Sequence, residues 1–132
     1  MSNKIPDEII KRFAQDVLGC GCPERVFKKI ETGEVSIGHQ MGIAKRIVIG
    51  DTLLIYIVPE DSAESMLNGI EQVVAAGRED RDSNQYNRFR LVIPAIGDPK
   101  IETLLCSAFA EKAGVDEKLH IHIVEPGCLN GL

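Results

Sequence analysis

The chain has 132 residues, 44% hydrophobic and 27% charged, with a net charge of −5 at neutral pH, which is the size and balance of one domain around a single core. The acidic balance argues against a nucleic-acid or anionic-membrane partner, since both need a basic footprint. No apolar run approaches the roughly 18 residues of a membrane span, and Met1-Ser2-Asn3-Lys4-Ile5-Pro6-Asp7-Glu8 lacks the apolar stretch of a secretion signal, so a cytoplasmic protein is expected.

Pro6 to Leu18 is predicted to be an amphipathic helix. Ile9, Ile10, Phe13, Val17 and Leu18 give its buried stripe, Pro6 suits the first turn, and Gly19 suits its stop. A second short helix is expected from Pro23 to about Glu31, closed by Gly33, with Val26, Phe27 and Ile30 inward. Val35 and Ile37 alternate like a short strand before Gly38-His39-Gln40-Met41-Gly42 interrupts. Arg46–Ile49 and Thr52–Val58 are β-branched or aromatic on both sides of Gly50-Asp51, which predicts a hairpin with a two-residue turn. The unbroken apolar run Leu53–Val58 predicts a strand covered on both faces. A helix should start at Asp61, with Glu64 completing a capping box, and stop at Gly77. Residues 78–87 are then a charged connection. Arg88–Ile93 is a strand, Asp98 caps a helix from Pro99 to about Ala113, and Leu119–Val124 is the last strand.

Strand–helix–strand order makes parallel neighbours through right-handed crossovers. The expected architecture is therefore a single globular α/β domain over residues 1–132. It is a layered sandwich with a mixed, partly parallel sheet of at least four strands, a β-hairpin followed by two right-handed βαβ crossovers, and two amino-terminal helices. Ligands of such sheets bind beyond the carboxyl ends of the parallel strands. That rim comprises Pro59-Glu60-Asp61, Pro94–Pro99 and the tail Glu125–Gly131, which carries Cys128.

The most distinctive stretch is Gly19-Cys20-Gly21-Cys22-Pro23, an inter-helix turn over residues 18–24. With Pro23 at the first helical position, Cys22 becomes the N-cap, where free N–H groups and the helix dipole stabilise a thiolate. Arg25 and Lys28 reinforce that field. Cys20 is then a co-ligating or resolving partner, and a flexible tail, residues 125–132, can bring Cys128 over the site as a third ligand. Such a centre would hold zinc or an iron–sulfur cluster, or exchange electrons as thiols. The same residues also serve a plainer end, in which Gly19 stops one helix, Cys22 caps the next and the cysteines are small buried hydrophobes. In that reading the domain is a non-enzymatic module for a protein partner. Cys106 falls beside a buried helical stripe and is assigned to packing. His120 and His122 share one face of a strand, a ligand geometry or simply the solvent-facing side opposite Ile121 and Ile123. His39 is an exposed loop residue, and Asp98 is explained by capping. Gly-rich phosphate loops and the Gly-x-Ser-x-Gly nucleophile motif are absent, so nucleotide binding and serine hydrolysis lose their usual support.

Overall fold

The computed structural model of the protein describes residues 7–17, 27–36, 43–59, 65–114, 118–129 and 132. Five strands, β1 (Ile30–Ser36), β2 (Ile43–Ile49), β3 (Leu53–Ile57), β4 (Arg88–Pro94) and β5 (Leu119–Val124), lie side by side in sequence order. β1, β2 and β3 are mutually antiparallel, whereas β3, β4 and β5 run parallel. This is the mixed α/β sheet expected from the order of elements, with one strand more than the minimum.

Period-two alternation divides the apolar residues between two faces. Ala44, Val48, Leu54, Tyr56, Phe89, Leu91 and Ile93 point to one face. There α2 (Met66–Asn84) and α3 (Pro99–Ala113), the helices that link the parallel strands, bury Ile70, Val73, Val74, Leu105 and Phe109. Ile47, Ile49, Leu53, Ile55, Ile57 and Val92 point to the other face, against Ile10, Phe13, Ala14 and Phe27. The first three of those four belong to α1 (Asp7–Arg12) and to a π-helical segment, Phe13–Val17, that continues it. Every residue of β3 is buried, as its unbroken apolar run requires of a strand with helices on both sides.

The hairpin between β2 and β3 turns on Gly50 and Asp51, with φ of 60° and 54°. Two successive left-handed residues match the twist of the flanking strands, which right-handed turns would splay. The turn closes with Thr52 N donating to Ile49 O at 3.1 Å. At α3, Asp98 accepts from Lys100 N at 3.0 Å and Ile101 N at 3.3 Å, so the predicted cap is present.

Three local expectations are corrected. Ile30 and Glu31, assigned to a second helix, open strand β1, and of the described residues of that expected helix only 27–28 form a helical turn. The spacing of Phe27 and Ile30 suits a helix stripe, but both side chains reach the same sheet face from a turn and a strand. Gly77 does not stop α2. The helix runs on to Asn84 and ends at Gln85, whose φ is 61°. The supposed connection 78–87 is thus mostly helix, and its charges have specific partners. Arg78 Nη2 donates to the carbonyls of Lys112 and Ala113 at 3.0 and 3.1 Å, satisfying acceptors that the end of α3 leaves without helical partners. In the tail, Pro126–Leu129 form a 3-10 turn, and Leu129 and Leu132 pack against the α1-side core. The capping box at Asp61 and Glu64, the loop around His39 and the segment Leu18–Val26 lie outside the described residues.

Candidate functional site

Cys20 and Cys22 belong to the segment Leu18–Val26, outside the described residues. Cys128 is exposed in the 3-10 turn just beyond β5, where its N–H donates to Glu125 O at 2.9 Å. Cys106 is also exposed, correcting its assignment to packing. Partial burial and the neighbouring Glu102 push its thiol up, which makes it a poor nucleophile. Among the described residues, no three of His, Cys, Asp and Glu come together as metal ligands.

The two histidines are half-buried rather than solvent-facing. Ile121 and Ile123 do pack towards α2 and α3 as expected. His120 and His122 lie on the opposite face, where β4 places Arg90 directly beside His120. Arg90 Nη1 is 2.9 Å from His122 Nε2. A guanidinium only donates, so His122 accepts through Nε2 and is neutral. Burial first, then Arg90 and His120, pull its pKa down to about 4. An unfolded chain protonates this residue near its ordinary value of about 6.5, whereas the folded one resists until about pH 4. Stability from His122 is therefore complete above about pH 6.5 and is lost as pH falls towards about 4. With solvent screening discounted, the loss is on the order of 1–2 kcal/mol. Urea denaturation across this window should show that slope, and His122→Gln, which still accepts from Arg90, should flatten it.

A second polar cluster, missed in the sequence, joins the sheet to α2. Arg46 and Tyr56 face each other across β2 and β3. Asp80 of α2 reaches both, accepting from Arg46 Nε at 2.7 Å, Arg46 Nη2 at 2.8 Å, Tyr56 Oη at 2.5 Å and Asn84 Nδ2 at 2.9 Å. Burial alone would raise the Asp80 pKa, but the hydrogen bonds from Arg46 and Tyr56 outweigh it and hold the carboxyl below its ordinary value. Burial and Asp80 together raise the Tyr56 hydroxyl. Both carboxylate oxygens already carry two donors each. A carboxylate in that state has no capacity left for proton transfer or a ligand, so the cluster is a clamp between layers.

The rim beyond the parallel strands carries a cleft of about 380 Å³. Ile57, Val58 and Pro59 line it from the end of β3, and Pro94 from the end of β4. Ile43, Ala44 and Lys45 line it from the start of β2, and Glu34 from β1. Pro126, Leu129 and Leu132 complete the wall from the tail. This is the rim the topology singled out, except that β1, β2 and the tail contribute more than the loop after β4.

The chemistry of this rim differs from that of a phosphate site. Anion sites at strand ends rely on free backbone N–H groups, and here four of the described amides, those of Val58, Ala95, Ile96 and Gly97, are engaged. Val58 N donates to Val92 O at 2.9 Å, and Ala95 N to Val124 O at 2.7 Å. Ile96 N and Gly97 N donate to Glu102 Oε2 at 3.0 and 3.3 Å. The three prolines of the cleft wall have no N–H to give. Replacing Glu102 with alanine should therefore leave two loop donors without their acceptor and lower stability by about 1–2 kcal/mol, measurable as a shifted urea midpoint with unchanged slope.

No helix among the described residues is long and apolar enough to cross a membrane. No protein-family model, no curated protein and no solved structure matches this chain.

Proposed function

We propose that this domain binds a small, largely apolar molecule in the cleft at the carboxyl ends of β3 and β4. The observation that carries this reading is the lining: Ile43, Ile57, Val58, Leu129 and Leu132 with three prolines, next to the Val58 and Ala95 amides, which are committed within the sheet. An apolar concavity with a few polar groups at its edge is the usual form of a small-molecule site. The reagent 1-anilinonaphthalene-8-sulfonate, an apolar body with one charged end, is a suitable probe. It should bind the native protein at one saturable site with enhanced emission. Ile43→Asp changes a side chain that is 54% exposed, so the fold should survive while the enhancement is lost. No enhancement under native conditions, or equal enhancement in the variant, contradicts the reading.

One contact favours a second reading, the cysteine centre. The π-helical segment Phe13–Val17, which leads towards Cys20, packs against the 3-10 turn that carries Cys128. Val17, the last residue of that segment, precedes Cys20 by three positions in the chain. In this reading Cys20 and Cys22 ligate zinc or an iron–sulfur centre, with Cys128 closing it, or cycle between dithiol and disulfide. Anaerobic purification with a visible spectrum, metal analysis and a thiol titration is the test. Stoichiometric metal that is lost in the Cys20→Ser/Cys22→Ser variant, or one unusually acidic thiol, is the expected result. Four ordinary thiols and no metal contradict it.

A further inference from the structure

We infer that the cleft's ligand is a zwitterionic α-amino acid with an apolar side chain, its two charged ends met by Glu34 and Lys45. This rests on the ligand-binding reading above and adds the substrate class. Glu34 and Lys45 are the two charged residues of an otherwise apolar lining. They are directly opposite one another on β1 and β2, and in such a pair the Cβ atoms stand about 5 Å apart on one face. Both are exposed. Opposed residues of opposite charge commonly close into an ion pair, yet the ion pairs among the described residues include neither of these. Each head group is therefore available at the cleft, with its counterpart on the neighbouring strand.

Ligand classes can be sorted against that arrangement. A simple anion matches Lys45 but meets the Glu34 carboxylate, and the described amides of Val58, Ala95, Ile96 and Gly97 are already engaged elsewhere. A simple cation has the reverse difficulty. A wholly apolar molecule displaces water from both charges and returns nothing. A molecule with an ammonium and a carboxylate on one carbon answers both, with the ammonium towards Glu34 and the carboxylate towards Lys45. Its side chain then lies along Ile57, Leu129 and Leu132. Charge-assisted contacts fix orientation while the apolar body supplies burial.

Isothermal titration of the full chain with L-leucine tests this, alongside three analogues. N-acetyl-L-leucine lacks the ammonium charge, L-leucinamide lacks the carboxylate, and 4-methylpentanoate lacks the amino group. Leucine should bind with Kd on the order of 0.1 mM, as expected for a ligand of its size. Each analogue should be weaker by at least about tenfold. Lys45→Gln and Glu34→Gln alter exposed positions and should weaken leucine to a similar extent without moving the melting temperature. If leucine fails to bind, or binds no better than its analogues, the inference is overturned. If the anilinonaphthalene probe still binds at the Ile43 mouth, only the ligand class is wrong. If neither binds, the cleft reading falls as well.

Discussion

Gly77→Ala should destabilise the protein by about 2–3 kcal/mol, although alanine is the better helix former by about 1 kcal/mol. A Cβ on Gly77 would overlap three carbons of the Phe89 ring, the farthest of them only 2.7 Å away. The ring has little room to retreat. Phe89 is fully buried and meets Tyr56 edge-on, with centroids 4.9 Å apart. The Tyr56 hydroxyl is in turn held by Asp80. α2 approaches β4 closely only because residue 77 has no side chain, so the ring occupies the space a Cβ would need. The melting temperature should fall by roughly 10 °C, given the usual entropy of unfolding for a domain of this size. Phe89→Leu in the same chain should recover part of the loss. A Gly77→Ala protein as stable as the parent, or more stable, would refute this account of the α2–sheet contact.

The second large effect is at Asp80. Asp80→Ala should cost about 3 kcal/mol, because it strands two partners at once. Arg46 and Asp80 side chains are only 26% and 15% exposed, and Tyr56 is buried. Removing the carboxylate leaves a half-buried guanidinium and a buried hydroxyl without their main acceptor. The triple variant Arg46→Met/Tyr56→Phe/Asp80→Leu replaces all three with apolar groups. It should recover most of the loss, since a packed apolar cluster commonly equals a buried ion pair in stability. Urea denaturation of parent, single and triple variants distinguishes the two outcomes. In the parent, the Asp80 contribution is present above the ordinary carboxyl range and disappears as pH falls through its lowered pKa. Its acid transition thus lies below that of His122, which begins near pH 6.5.

The sheet was legible because its strands are strongly patterned. Leu53–Ile57, Arg88–Ile93 and Leu119–Val124 emerge within a residue of their expected limits, and Asp98-Pro99 marks its helix start without ambiguity. β1 was harder. Gly33 sits inside it with no atom within 4 Å of the place a Cβ would take, so the glycine is a tolerated strand residue and not a helix stop. Gly77 misled for the opposite reason. A glycine that ends a helix takes a left-handed conformation, but this one stays helical and is needed for close packing. The stripe itself continued past it, since Val73, Gly77, Asp80 and Asn84 share one side of α2. Arg46 and Tyr56, paired on the face that α2 covers, already called for an acidic partner there.

The candidate site was legible in location and not in composition. Strand order alone points to the rim beyond β3 and β4, and the cleft lies there. Glu34, Lys45, Ile43 and Leu132 were missed because they are brought to it by the β1–β2 pairing and the packing of the tail. Neither has a local signal in the sequence. The cysteine turn drew notice because its residue choice is unusual, whereas an apolar cleft is assembled from ordinary residues far apart in the chain.

The claim that this cleft is the binding site is tested most directly by amide chemical-shift mapping. A set of small apolar acids, amines and amino acids, L-leucine among them, would be titrated into the isotopically labelled protein. Saturable shifts should concentrate on Glu34, Ile43, Ala44, Lys45, Ile57, Val58, Leu129 and Leu132, the amide-bearing residues of the cleft. Shifts confined to Gly19–Cys22 and Cys128, or none with any compound, would contradict it.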